Sequence, residues 1–153
     1  MPSRRELIAM TPDEMDTYLR SQRRIILVSN GADGFPHPVP MNFGLDDEGR
    51  VIMTSFAKAQ KVKNLERDPR ATLLVESGQA YTELKSVILS CETEIIHDFE
   101  ECERLRQFMR VATPTASPAR REQIDGTMHK RVVMRFTAQK VVSWDHSKLG
   151  ESY

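Results

Sequence analysis

Two hydroxyl residues and three lysines crowd the run Met53-Thr54-Ser55-Phe56-Ala57-Lys58-Ala59-Gln60-Lys61-Val62-Lys63-Asn64-Leu65. The pattern predicts a short helix over Lys58–Arg67, stopped by Asp68-Pro69 because a residue before proline avoids helical angles. Cations in the first turns of a helix oppose its macrodipole, at roughly a few tenths of a kcal/mol each. A bound anion removes that conflict. Helix N–H groups, the hydroxyls of Thr54 and Ser55 and the ammonium of Lys61 would then converge on one phosphate. Lys58 and Lys61, three positions apart, would share a helical face, while Ala59, Val62 and Leu65 dock on a core. A solvated basic face is the competing reading, and composition alone leaves both open.

The second informative stretch is His37–Leu45. Val39, Met41, Phe43 and Leu45 alternate with Pro38, Pro40, Asn42 and Gly44, so period two sends the large apolar groups to one face. The prolines cannot donate to a ladder, which predicts an edge or partly unpaired strand. A smooth face beside a free edge suits a flat ligand, and it equally suits a plain edge strand with one wet side. His37, His97, His129 and His146 show no paired spacing and argue against zinc. Cys91 and Cys102 lack Cys-x-x-Cys spacing and read as buried thiols of a reducing compartment.

The rest of the chain supplies elements to position these groups. Thr11 caps a first helix, with Pro12 at its first position and Glu14 completing a capping box. Strands are expected at Ile25–Ser29, His37–Leu45, Val51–Ser55, Ala71–Glu76, Leu84–Ile96 and Arg131–Trp144, the fifth long enough to bulge. Helices are expected at Glu100–Ala112 and Ala119–Ile124, separated by a loop over Thr113–Pro118. Six strands joined mostly by hairpins predict a mainly β, α+β fold, an antiparallel barrel with a few peripheral helices. The 153 residues fit a single domain, 1–153. The 22 basic and 22 acidic residues cancel, which argues against general attraction to nucleic acid. The absence of a long apolar run argues against a membrane span or secretory signal, so a cytoplasmic location is expected.

The run from Lys58 to Ala71, with its Asn64-Leu65 helix and Asp68-Pro69-Arg70 stop, resembles the signature of pyridoxamine phosphate oxidase-like split-barrel flavoproteins. The strand Pro36-His37-Pro38-Val39-Pro40-Met41 and the late Val142-Ser143-Trp144-Asp145 extend the resemblance over roughly residues 25 to 146. It implies a Greek-key split barrel, an FMN cofactor and a homodimer with the cofactor at the subunit interface. It further implies that Thr54 and Ser55 contact the phosphate, with Gln60 and Lys61 standing where the family has Arg-Lys. Lys58 would compensate for the charge missing at Gln60. Met41 and Asn42 would border the isoalloxazine ring, Ser86 would reach it from the partner subunit, and Trp144 would pack near it. Trp144 suits a core aromatic equally well.

The arginine-rich stretch that grips the oxidase substrate is replaced here by Asp145-His146-Ser147-Lys148-Leu149, which argues against pyridoxal phosphate synthesis. The expectation is an FMN-dependent oxidoreductase acting on an unidentified small molecule. A deazaflavin coenzyme is the alternative, its acidic tail suiting Lys58, Lys61 and Lys63; a flavin carrier or sensor without turnover is another. A haem-binding branch exists, but His146 reads better as a surface or hydrogen-bonded histidine than as an axial ligand.

Overall fold

The computed structural model describes residues 1–112 and 117–150. Its centre is an antiparallel sheet of seven strands among those residues: β1 (Arg24–Asn30), β2 (Pro36–Asn42), β3 (Gly44–Leu45), β4 (Val51–Phe56), β5 (Arg70–Ser77), β6 (Lys85–Ile96) and β7 (Arg131–Asp145). They lie in the order β2-β1-β5-β6-β7-β4-β3. The two edges of this sheet, β2 and β3, are consecutive in the chain and separated only by Phe43. Such an order forces the sheet to curl until its edges meet, which is the split barrel expected from the sequence.

That closure also explains one departure. The continuous strand expected over His37–Leu45 is two strands, making seven rather than six. The chain must leave its pairing with β1 and begin pairing with β4, and it does so at Phe43, which is buried in the core. The prolines behave as predicted: β2 pairs on one side only, with Pro38 and Pro40 opposite Val28 and Ile26. β6 carries the expected irregularity, a register shift at Ser90/Cys91.

The barrel interior is filled by Ile25, Leu27, Met53, Leu73, Val75, Val87, Met134 and Phe136. A second cluster, Ile52, Ile96, Cys102, Leu105, Met128 and Val133, lies between the sheet and α4 (Phe99–Ala112). β4 therefore buries residues on both faces: Met53 points inward and its neighbour Ile52 lies under α4. α4 approaches so closely that a Cβ on Gly44 would stand 3.1 Å from the Phe108 carbonyl oxygen and 3.2 Å from Met109 Cα. Glycine at this point is what lets the helix lie against β3.

The remaining helices are α1 (Arg4–Ile8), α2 (Pro12–Ser21), α3 (Gln60–Arg67) and α5 (Pro118–Thr127). α2 has the predicted capping box of Thr11 and Glu14, and α1, which the sequence reading passed over, has the same device in Ser3 and Glu6. Both cysteines are buried; the Cys102 thiol donates to the Ile96 carbonyl and burial pushes the Cys91 thiol up to about 11. Residues 113–116 of the expected Thr113–Pro118 loop lie outside the described residues. No described helix is long and apolar enough to cross a membrane.

The β3–β4 turn depends on Asp46. Its buried carboxylate accepts from the N–H groups of Glu48 and Arg50 and from Arg50 Nε, each at 2.9 Å. Burial alone would raise its pKa, but these donors and the Arg50 charge outweigh it and hold the group below the ordinary aspartate value. A depressed folded-state pKa adds stability above the unfolded value, and that stability is lost as pH falls through the folded one. Asp46→Ala should cost about 1–3 kcal/mol in urea unfolding at neutral pH, the scale for orphaning buried donors, and the gap from wild type should close as pH drops. An equal loss at every pH would show that the carboxylate charge is not the cause.

Candidate functional site

The lysine-bearing turn is assembled from β4 and α3. α3 begins at Gln60 rather than Lys58, with Ala59 at its cap position and no capping side chain. Lys58 consequently lies in the turn before the helix and does not share a helical face with Lys61, as the sequence reading expected. Val62 and Leu65 are buried, and Ala59 packs against the same core, so the docking face is as predicted. A polar anchor fixes the helix further. Asn64, fully buried, donates to Ser29 Oγ on β1 at 3.1 Å and accepts from Gln60 Nε2 and from Arg67. Arg67 in turn donates to the Asn30 carbonyl. Buried polar groups with all partners supplied set one orientation, here that of the turn carrying Lys61.

Thr54, Ser55 and Lys61 open onto a cleft of about 380 Å³, together with Pro40, Met41 and Asn42 of β2. This volume suits a single small-molecule ligand. Five residues singled out from sequence thus converge: Met41, Asn42, Thr54, Ser55 and Lys61. The hydroxyls of Thr54 and Ser55 have no protein hydrogen-bond partner among the described residues, and neither has the Lys61 ammonium. The other candidates stand elsewhere. Lys58 is exposed and lines no part of the cleft. Gln60 is turned to Asn64 and borders a separate hollow beside His37. Ser86 is buried, donates to the Val75 carbonyl at 2.9 Å, and lies opposite Trp144 in the β6–β7 register.

The far wall went unnoticed in the sequence. Arg106 and Met109 of α4, Arg120, Arg121 and Ile124 of α5, Arg131 of β7, Arg24 of β1 and Phe56 of β4 complete the lining. Among the described residues, six of those lining the cleft are cationic and none is acidic. Arg131 lies opposite Phe56 in the β4–β7 register, its guanidinium 4.1 Å from the ring centroid, and its Nε donates to Thr127. Burial, and then the charges of Arg120 and Arg106, lower the Arg131 pKa. Burial followed by the charge of Arg131 lowers that of Lys61. Arg106 is 6% exposed; its pairs with Glu103 and Asp125 outweigh burial and raise its pKa. Its Nε is nonetheless buried without a hydrogen-bond partner. One signal could have exposed this residue: position 106 falls four residues after Cys102 and three before Met109, inside the apolar stripe of α4.

His146, considered as an axial ligand, lies within hydrogen-bond distance of the Tyr81 carbonyl through Nδ1, at 2.8 Å, and its ring packs on that of Tyr81. No cluster of candidate metal ligands occurs among the described residues.

A sequence profile described as Pyridoxamine 5'-phosphate oxidase matches residues 11–145. A crystal structure of the conserved hypothetical protein Rv2991 from Mycobacterium tuberculosis superposes with a TM-score of 0.87 at 33% identity, covering 99% of this chain and 95% of that one. A FAD-binding protein from Mesorhizobium loti shares the fold, with a TM-score of 0.68 at 18% identity over 88% of this chain and 93% of its own. A 5a,11a-dehydrotetracycline/5a,11a-dehydrooxytetracycline reductase of Streptomyces rimosus is 35% identical over 63 residues. That stretch is 39% of this chain and 44% of the reductase, so less than half of the relative is matched.

Proposed function

This chain belongs to the pyridoxamine 5'-phosphate oxidase family, and on that premise we propose that it is a flavin-dependent oxidoreductase that uses FMN on a small-molecule substrate. The observation that carries the reading is the half-buried Lys61 ammonium, which has no partner among the described residues and whose charged neighbours in the cleft lining are, among those residues, all cations. A phosphate there accepts from Lys61 and from the hydroxyls of Thr54 and Ser55, and it relieves the repulsion between Lys61 and Arg131. The ring system lies along Met41 and Asn42, where Pro40 supplies a flat surface with no backbone donor. Bound flavin supplies hydride transfer; the residues named here hold it, orient it and keep water from its face. The Streptomyces relative is a reductase, which is in keeping with this chemistry.

The functional unit in this reading is a homodimer. Cross-strand pairing places Pro40, Ile26, Leu74, Ile88 and Val142 in one row across β2, β1, β5, β6 and β7. These residues alternate with the core-facing Ile25, Leu27, Leu73 and Val87, so the row lies on the outer face of the barrel. Ser86 and Trp144 form the neighbouring cross-strand pair on that face. Pro40 belongs both to the row and to the cleft, so a second copy seated on the row would bring its own Ser86 and Trp144 toward the cofactor.

A deazaflavin coenzyme is the second reading, favoured by a lining with more cations than one phosphate requires. Absorbance titration separates the two and tests the site. Wild-type protein should take up FMN, and Lys61→Ala should weaken it by about 1.5–3 kcal/mol, the scale of a charge-assisted hydrogen bond. Unchanged affinity would show Lys61 to be a solvated charge, and uptake of deazaflavin alone would move the assignment. Bleaching by a nicotinamide donor, reversed by an acceptor, indicates turnover; colour without bleaching indicates a carrier. Sedimentation tests the pairing: Ile88→Asp should convert a dimer to a folded monomer, and a wild-type monomer would contradict it.

A further inference from the structure

One wall of the cleft is attached to the protein differently from the others. Lys61 is fixed by α3, which docks Val62 and Leu65 on the core, and Arg131 is stacked on Phe56. Arg106 projects from α4, which buries Cys102 and Leu105 against the sheet. α5 supplies Arg120, Arg121 and Ile124 to the same lining, yet none of its residues is buried. All are exposed except Ile124 and Thr127, which are partly buried. The firm anchor is at the C-terminal end, where the cap residue Met128 is buried in the cluster beneath α4. A helix that buries no side chain along its length opens locally at small cost in free energy.

Opposed charges act on this helix. Asp125 pairs with Arg106 of α4, and Thr127 accepts from Arg131 Nε; both contacts draw α5 toward the barrel. Arg120 works the other way. Its charge, with that of Arg106, adds to burial in lowering the Arg131 pKa. Its guanidinium reaches Gln123 of the same helix, a neutral group that leaves this repulsion standing. An anion between Arg120 and Arg131 reverses the sign of the interaction, because both cations are then attracted to one ligand. The energy of the closed position thus differs between empty and occupied clefts, which is what a ligand needs to shift a conformational equilibrium.

We propose that α5 is a lid on the cleft, anchored at Met128 and latched by the Arg106–Asp125 pair, whose open form is favoured by Arg120–Arg131 repulsion and whose closed form is favoured by an anionic ligand. Naming FMN as that ligand rests on the preceding reading; the lid itself rests on the exposure and charges of α5. Closure carries Ile124 over the ligand and slows its release.

Amide hydrogen exchange followed by mass spectrometry tests this. In ligand-free protein, residues 118–127 should exchange faster than β6, and saturating FMN should slow them by about three- to tenfold, as linkage requires when the closed form binds more tightly. Arg120→Gln joins residues of similar helical propensity. It should slow α5 exchange about two- to fivefold without ligand, the scale of one exposed charge pair, and should shrink the FMN effect. Asp125→Asn should speed α5 exchange while β6 keeps its rates. Unchanged α5 exchange in both variants, FMN that binds without slowing α5, or α5 amides that exchange only together with those of β6 would overturn the proposal. If FMN does not bind, inorganic phosphate is compared with chloride at equal ionic strength. Slowing by phosphate alone keeps the lid and ends the flavin reading; equal rates end both.

Discussion

Two cations held close together in a partly desolvated cleft constrain everything else at this site. Lys61 and Arg131 each titrate below their ordinary values, with burial the larger cause and neighbouring positive charge the second. The barrel does not neutralise them: the cleft lining adds four further cationic residues and, among the described residues, no acid. Because the folded-state pKa of Lys61 lies below the unfolded one, the unfolded chain binds its proton more tightly. This group therefore opposes folding at neutral pH, and its contribution grows more favourable as pH rises through the folded value. An arrangement that weakens the fold in this way is expected where a ligand supplies the missing charge.

The fold maintains that arrangement by rigid means. Curling the sheet until β2 and β3 become consecutive places Met41 and Asn42 beside the end of β4. Asn64 locks α3 to β1 and so fixes Lys61, while Gly44 lets α4 lie close enough to bring Arg106 and Met109 over the opening. The cations cannot easily swing into solvent to escape one another. The Arg131 guanidinium is stacked on Phe56, and Arg106 is clamped by two carboxylates that stand outside the cleft lining.

What could be read in the sequence was what is contiguous. Thr54, Ser55 and Lys61 share one strand–turn–helix, so turn chemistry was enough to nominate them; Met41 and Asn42 share one alternating strand, and it was the family resemblance that singled them out. The barrel followed in the same way, from alternation in six segments and edge prolines in Pro36–Asn42. The break at Phe43 was hidden because alternation runs through it; only closure of the whole sheet decides that the chain changes partner there. The arginine wall was hidden for a different reason. Arg24, Arg106, Arg120 and Arg131 come from four distant elements, and charged residues on amphipathic helices ordinarily face water. Arg106 alone carried a warning, a charge set within the apolar stripe of α4. The start of α3 was misplaced by two residues because Ala59, a residue with no capping side chain, stands at the cap.

The most direct check of this account is the titration of the Lys61 ammonium itself, followed by NMR in protein labelled at lysine, before and after addition of FMN. Without ligand its midpoint should lie below the ordinary lysine value, and with FMN bound it should move upward as phosphate supplies the opposing charge. A midpoint that FMN leaves in place, with the flavin bound elsewhere or not at all, would contradict the assignment of this cleft.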